Sequence, residues 1–197
     1  MDIERFTKQI EFILEIDKMK QILRNTILMD ASWKENSAEH TWHMAVGAMV
    51  MSEYANESNL DMLKVLKMIL LHDIVEIDAG DTFAYGNVNL LEKAEKEKKA
   101  AGRIFGLLPH DQADQLNKIW NEYEDAETPE AKFAQAMDSF MPILHNYKTN
   151  GLQWQRLGVT REKVLSRNRR IESGSRTLWS YIEGIVNHAV EKGFLKP

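Results

Sequence analysis

From Met62 the chain reads Met-Leu-Lys-Val-Leu-Lys-Met-Ile-Leu-Leu, apolar at nearly every position, until His72, Asp73 and Glu76 interrupt the run. Its length and its Leu, Met and Lys content favour helix over strand. A helix apolar nearly all round is predicted to be the buried central element of the fold. Burying charged groups in such a helix is costly unless something compensates, and a bound cation is the simplest compensation. His72 and Asp73 stand about 100° apart round a helix, so one ion lying between them is within reach of both. Glu76, a turn beyond His72, addresses a water on that ion. The competing reading is a helix that ends here with its polar groups in solvent.

The rest of the chain also reads with helical period. Phe6, Ile10, Ile13, Leu14, Ile22 and Leu23 mark a first helix. A second opens at Asn36, with Glu39 as its capping-box partner, and runs to about Ala55; Ala45, Gly47 and Ala48 leave it room for a close neighbour. The central helix starts near Asp61. A loop rich in Gly and Asn covers Asp78 to Asn89, with Gly80, Gly86 and Asn87 in it. Amphipathic helices follow over Leu90 to Leu108 and around Leu116 to Tyr123. Thr128-Pro129-Glu130 starts a helix carrying Phe133, Ala134, Met137, Met141 and Leu144. Thr160 caps a short helix, and Leu178 to Lys192 forms the last, stopped by Gly193. The expected fold is all-α: a single helical bundle over 1–197, with a core of about 20–150, a C-terminal helical extension of about 160–192, and the metal site at the ends of the central helices.

Two further positions join the first interruption. Asp138 falls in the apolar stripe of Ala134, Met137 and Met141, and Pro142 withholds a donor from its carbonyl, so the helix is expected to bend or open there. A core aspartate held by a hydroxyl or an arginine is the plainer alternative. His40 falls in the first turn of the second helix, with His43 a rival ligand one turn on. The chain of 197 residues has no cysteine, so any metal must be held by imidazole and carboxylate. Such a set suits Mn, Fe, Co, Ni or Zn better than Ca.

Twenty-five Lys and Arg stand against 30 Asp and Glu, a net charge of −5, which repels nucleic-acid polymers. A small phosphorylated ligand needs only one or two arginines. Arg161, Lys163, Arg167, Arg169, Arg170 and Arg176 lie among Glu162 and Glu172 and read as a solvated face or a subunit contact. The opening Met1-Asp2-Ile3-Glu4-Arg5 has no basic-then-apolar signal and no apolar run reaches spanning length, so no membrane partner and a cytoplasmic location are expected.

The order His40…His72-Asp73…Asp138 on successive helices resembles the HD-domain metal-dependent phosphohydrolases. Glu35-Asn36-Ser37-Ala38-Glu39-His40-Thr41-Trp42-His43 and Leu71-His72-Asp73-Ile74-Val75-Glu76-Ile77-Asp78-Ala79-Gly80-Asp81 are similar to the two motifs of the branch that contains bacterial 5′-deoxynucleotidases. The resemblance spans residues 5 to 190. It implies a divalent metal ion (Mn, Co, Fe, Ni, Mg or Zn) held by His40, His72, Asp73 and Asp138. It further implies Glu76 as the catalytic carboxylate, Asp81 as a loop carboxylate acting in catalysis or on the sugar, and Arg24, at the end of the first helix, as the phosphate clamp. The deoxynucleotidases carry a tryptophan after that arginine, where it helps exclude ribose; here Asn25 and Thr26 follow, and Trp33 in the next loop is the candidate replacement.

The function so implied is hydrolysis of a phosphate monoester, 5′-dephosphorylation of a (deoxy)nucleoside monophosphate, by a homodimer. The alternatives are hydrolysis of a nucleoside triphosphate or another phosphorylated metabolite at the same site, or a nucleotide-binding regulatory module.

Overall fold

The computed structural model describes residues 2–81 and 89–197. Helix α1 (Ile3–Ile16) is capped by Asp2 and followed by a 3-10 turn over Asp17–Gln21. Strands β1 (Leu23–Ile27) and β2 (Lys34–Asn36) pair antiparallel as a small hairpin, with Leu23 opposite Asn36 and Ile27 opposite Lys34. The helices α2 (Ser37–Met51), α3 (Met62–His72), α4 (Glu76–Ala79), α5 (Leu90–Phe105), α6 (His110–Asp125) and α7 (Pro129–Lys148) follow. The chain closes with α8 (Leu152–Arg156), α9 (Arg161–Arg167), α10 (Ile171–Gly174) and α11 (Arg176–Glu191). None of the described helices is long and apolar enough to cross a membrane.

The helical expectation holds, with one correction that bears on the site. The first helix does not reach Leu23: it ends at Ile16, and Arg24 lies on a strand. Thr26 and Ile27 are β-branched and favour extended backbone; pairing with β2 buries Thr26 and Glu35, while α1 buries none of its own residues. The capping box on α2 forms as expected: Asn36 Oδ1 accepts from the Glu39 amide, and Glu39 reaches back to the Asn36 amide. Thr128 caps α7 and Thr160 caps α9 through their hydroxyls. Residues 82–88 of the expected loop, with Gly86 and Asn87, lie outside the described residues.

Helix α3 is central but not buried all round, because Leu63 and Leu70 are exposed. Its buried side joins two apolar clusters. Val65, Met68 and Ile69 pack with Met44 of α2, Phe133 and Met137 of α7, and Ile182 and Val186 of α11. Leu71 joins Ile74, Val75, Ile104, Phe105 and Trp120 in the second cluster. A methyl group at Gly47 would stand 3.3 Å from the Met137 side chain, so the small residue there lets α2 and α7 approach. Helix α7 continues through Pro142 to Lys148 rather than opening there. His72 and Asp73 therefore stand where α3 passes from one cluster to the other, facing α2 and α7.

Candidate metal centre

His72 is the last residue of α3, Asp73 begins a 3-10 turn and Glu76 begins α4, so the helix breaks into short pieces at the interruption. Each piece turns its polar side chain the same way. His72 Nδ1 donates to the Ile69 carbonyl at 2.7 Å, which leaves the lone pair on Nε2. That Nε2 is buried and has no hydrogen-bond partner. It stands 3.1 Å from Asp73 Oδ1 and 3.9 Å from Asp138 Oδ1. His40, from the first turn of α2, brings its Nε2 to 3.2 Å from the same Asp138 oxygen. An orphaned imidazole nitrogen facing carboxylate oxygens fits a bound cation, and its backbone-held Nδ1 is the usual way a ligating histidine is oriented. His40, His72 and Asp73 offer donor atoms lying within 4.8 Å of one another.

The four sequence-predicted ligands thus come from α2, the end of α3, the 3-10 turn after it and α7 to one place. His43, the rival of His40, does not: it faces His145 and Glu35. Burial and the Arg24 charge oppose a proton on His40, yet the Asp138 and Glu35 carboxylates outweigh them and lift it to about 9. The cluster is therefore negative enough to hold positive charge even in a buried place. Asp138 is pulled well below the ordinary carboxylate range, against its burial, by His40, Arg170 and His72.

Arg24 reaches the cluster from β1. Its Nη1 donates to Asp73 Oδ2 at 2.6 Å and lies 4.0 Å from Glu76 Oε2. Burial opposes the guanidinium charge, but Asp73, Glu76, Asp138 and Asp81 outweigh it and raise Arg24 further above its ordinary range. Ser37 Oγ donates to Glu76 Oε2 at 2.8 Å. Burial and the Asp73 charge push Glu76 well above the ordinary carboxylate range, with Arg24 pulling the other way. Asp81 is raised chiefly by burial, with Arg24 opposing. Arg24, His72, Asp73, Glu76, Asp81 and Asp138 all line one cavity of about 200 Å³. Asn25 and Thr26 line it too, whereas Trp33 does not and is 60% exposed. The expectation that Trp33 replaces the missing wall is therefore corrected: the hairpin turn carries it away from the cavity.

Two residues enter the site without having been singled out. Arg170, read in sequence as one of a solvated basic face, donates from Nη2 to Asp138 Oδ2 at 2.8 Å and from Nε to Ser139 Oγ at 2.5 Å. No spacing relates it to Asp138, since the approach of α10 to α7 is tertiary. Glu35, 1% exposed, places Oε2 at 3.5 Å from His40 Nδ1 and 3.7 Å from Arg24 Nε. Its only signal was its place at the head of the first motif.

Comparison with known proteins agrees with this geometry. The crystal structure of a predicted metal-dependent phosphohydrolase from Magnetospirillum magnetotacticum MS-1 superposes with a TM-score of 0.92 at 49% identity, over 98% of this chain and 100% of that one. The 5′-deoxynucleotidase HDDC2 of Homo sapiens is 29% identical over 136 residues, 68% of this chain and 65% of that protein. The 5′-deoxynucleotidase hdd1 of Schizosaccharomyces pombe is 31% identical over 118 residues, 58% of each. The chain spans less than two thirds of the length of these two curated relatives. Residues 16–179, from the end of α1 into α11, match the HD domain model, and on that match the chain belongs to the HD domain family.

Proposed function

We propose that the chain is a metal-dependent phosphomonoesterase that removes the 5′-phosphate of nucleoside monophosphates. The observation that carries this reading is the meeting on one cavity of an orphaned imidazole nitrogen, the carboxylates of Asp73, Glu76, Asp81 and Asp138, and a buried guanidinium. The relatives named 5′-deoxynucleotidase support the nucleotide, and the solved neighbour supports the metal. In this reading His40, His72, Asp73 and Asp138 hold one divalent ion, of a kind among Mn, Co, Fe, Ni, Mg and Zn. When bound, the ion supplies a lowered pKa to water and polarisation of the phosphoryl group.

The chain's own groups do the rest. Arg24 neutralises phosphate oxygens with the fork geometry that lysine lacks. Glu76, held by Ser37 and beside Arg24, orients the attacking water or protonates the departing 5′-oxygen. Asp81 holds the sugar or the attacking water from the cavity wall. Asn25 and Thr26 give the sugar edge polar company in place of an aromatic wall, so the 2′-hydroxyl of a ribonucleotide is tolerated. A homodimer is also proposed. Trp42, Val46, Met49 and Val50 of α2, with Leu63 and Leu70 of α3, are exposed, an apolar surface suited to a second copy. Light scattering at micromolar concentration tests it, a monomer mass refuting the pairing.

Metal-free protein refilled with Mn, Co, Ni, Mg or Zn in turn and offered a panel of phosphorylated metabolites tests the activity. Release of inorganic phosphate from nucleoside monophosphates is expected. The ratio of kcat/KM for dAMP over AMP should stay below roughly a hundredfold, since a pocket with room for a hydroxyl rejects it poorly. Activity on triphosphates alone would refute the reading.

A further inference from the structure

A second group of imidazole and carboxylate stands on the other side of His40. Glu35 from β2, His43 from α2 and His145 from α7 offer donor atoms within 4.8 Å of one another, and none of the three lines the cavity. His145 is buried, and its Nδ1 pairs with the Ile27 carbonyl at 2.9 Å. A carbonyl only accepts, so the ring proton is at Nδ1 and the neutral ring carries a lone pair at Nε2. That atom faces His43 Nδ1 at 3.4 Å and Glu35 Oε1 at 3.6 Å. Glu35 Oε2 points the other way, 3.5 Å from His40 Nδ1 and 3.7 Å from Arg24 Nε, so Oε1 is the oxygen left to the two imidazoles.

With the His145 ring neutral, its Nε2 and Glu35 Oε1 are two buried acceptors facing each other beside the His43 ring, and a cation among the three satisfies all of them. The spacing indicates which kind. At 3.4 Å an N–H···N contact is long for a hydrogen bond, and 3.6 Å is outside the range altogether. Two donors on a tetrahedral ion with bonds of about 2.0–2.1 Å stand about 3.3–3.4 Å apart. The cavity-side cluster shows the same order of separation, 3.1 and 3.2 Å for its nearest pairs. A set of two imidazoles and one carboxylate is a zinc-type set, whereas Ca and Mg take oxygen. The backbone hold on His145 Nδ1 repeats the one on His72.

We infer that Glu35, His43 and His145 form a second metal site, for a divalent ion of the zinc class, separate from the one on the cavity. The half-buried side of His43 leaves the fourth position to water. The ion ties the hairpin that carries Arg24 to α2 and α7 and supports the strand from behind. Its role is structural, and the inference does not depend on the phosphatase reading.

Metal-free full-length protein is saturated with Zn²⁺ alone, dialysed, and its zinc counted by elemental analysis. Asp73→Ala, His145→Ala, His43→Ala and the double variant Asp73→Ala/His145→Ala are treated alike, with circular dichroism to confirm the helices. Two ions per chain are expected in the parent, one in each single variant and none in the double. Zinc should raise the Tm of Asp73→Ala, and the second substitution should abolish that shift. His43→Ala, at the half-buried end, serves if His145→Ala does not fold. One ion in the parent with none in Asp73→Ala overturns the second site, as do two ions in both histidine variants. Two ions in Asp73→Ala with one in His43→Ala would instead overturn the assignment of Asp73 on the cavity side and leave this site standing.

Discussion

The two rings of polar groups that flank His40 are built from the same residue types, yet they differ in what surrounds them. On the Nε2 side, His72, Asp73 and Asp138 line a cavity together with Arg24, Glu76 and Asp81. On the Nδ1 side, Glu35 and His145 are buried under the hairpin; a main-chain carbonyl holds His145, and Arg24 touches only the far oxygen of Glu35, at 3.7 Å. The first side has spare carboxylates and a cation poised to receive an anion; the second has one carboxylate for two imidazoles and nowhere for a substrate. Donor atoms at ligating distance are therefore common to both sides, and access decides which of them can do chemistry.

The sharpest way to break this contrast is Asp73→Ala. If the Nε2 side is the reacting one, phosphate release falls by about 10³-fold or more, because a catalytic metal supplies several kcal/mol and each 1.36 kcal/mol is tenfold. Circular dichroism should show the helices in place. Activity at the parent level would move the chemistry elsewhere. Glu76→Gln removes proton transfer and leaves coordination alone, so the metal content stays and kcat drops by about 10²–10³-fold. Parent-like turnover on nucleoside monophosphates would make Glu76 a bystander.

A smaller effect is expected where the contrast depends on outer contacts. Arg170→Gln withdraws the hold on Asp138 Oδ2 and should weaken metal binding at the cavity side by about 10–100-fold. An unchanged dissociation constant in a competition assay would limit Arg170 to packing.

The smallest effect is on stability. In metal-free protein His40 is raised from 6.5 to about 9, burial and Arg24 being outweighed by Asp138 and Glu35. A raised histidine contributes stability that is complete below its unfolded pKa and is lost as pH climbs through the folded one. The Tm of the metal-free protein should therefore fall by a few degrees between about pH 6.5 and 9. A metal on the Nε2 side replaces the proton and should flatten that slope. Calorimetry across the window reads both, and a flat profile without metal would show that His40 holds no proton there.

Several parts of this protein were legible before any coordinates. The central run interrupted at His72, Asp73 and Glu76 announced a buried ionic site, because charge in an apolar helix needs a partner. The caps at Asn36, Thr128 and Thr160 are local chemistry and appear in the structure as caps, and the helix start read near Asp61 falls there, with Asp61 itself as the cap. His40 and Asp138 were found through their place in motif and stripe. The hairpin was missed: an arginine followed by Asn25, Thr26 and Ile27 continues a helical pattern on paper, and only pairing with β2 makes the extended form the stable one.

What tertiary structure alone decided is partnership. Whether His40 or His43 faces His72 depends on how α2 lies against α7. Arg170 reaches Asp138 because α10 packs on that helix, Trp33 leaves the cavity because the hairpin turns outward, and Glu35 meets His145 across 110 positions of sequence. Residue type and local period specify which groups must find a partner; the choice of partner is set by the packing of distant apolar faces, whose contacts carry no signature in the spacing of the polar residues they bring together.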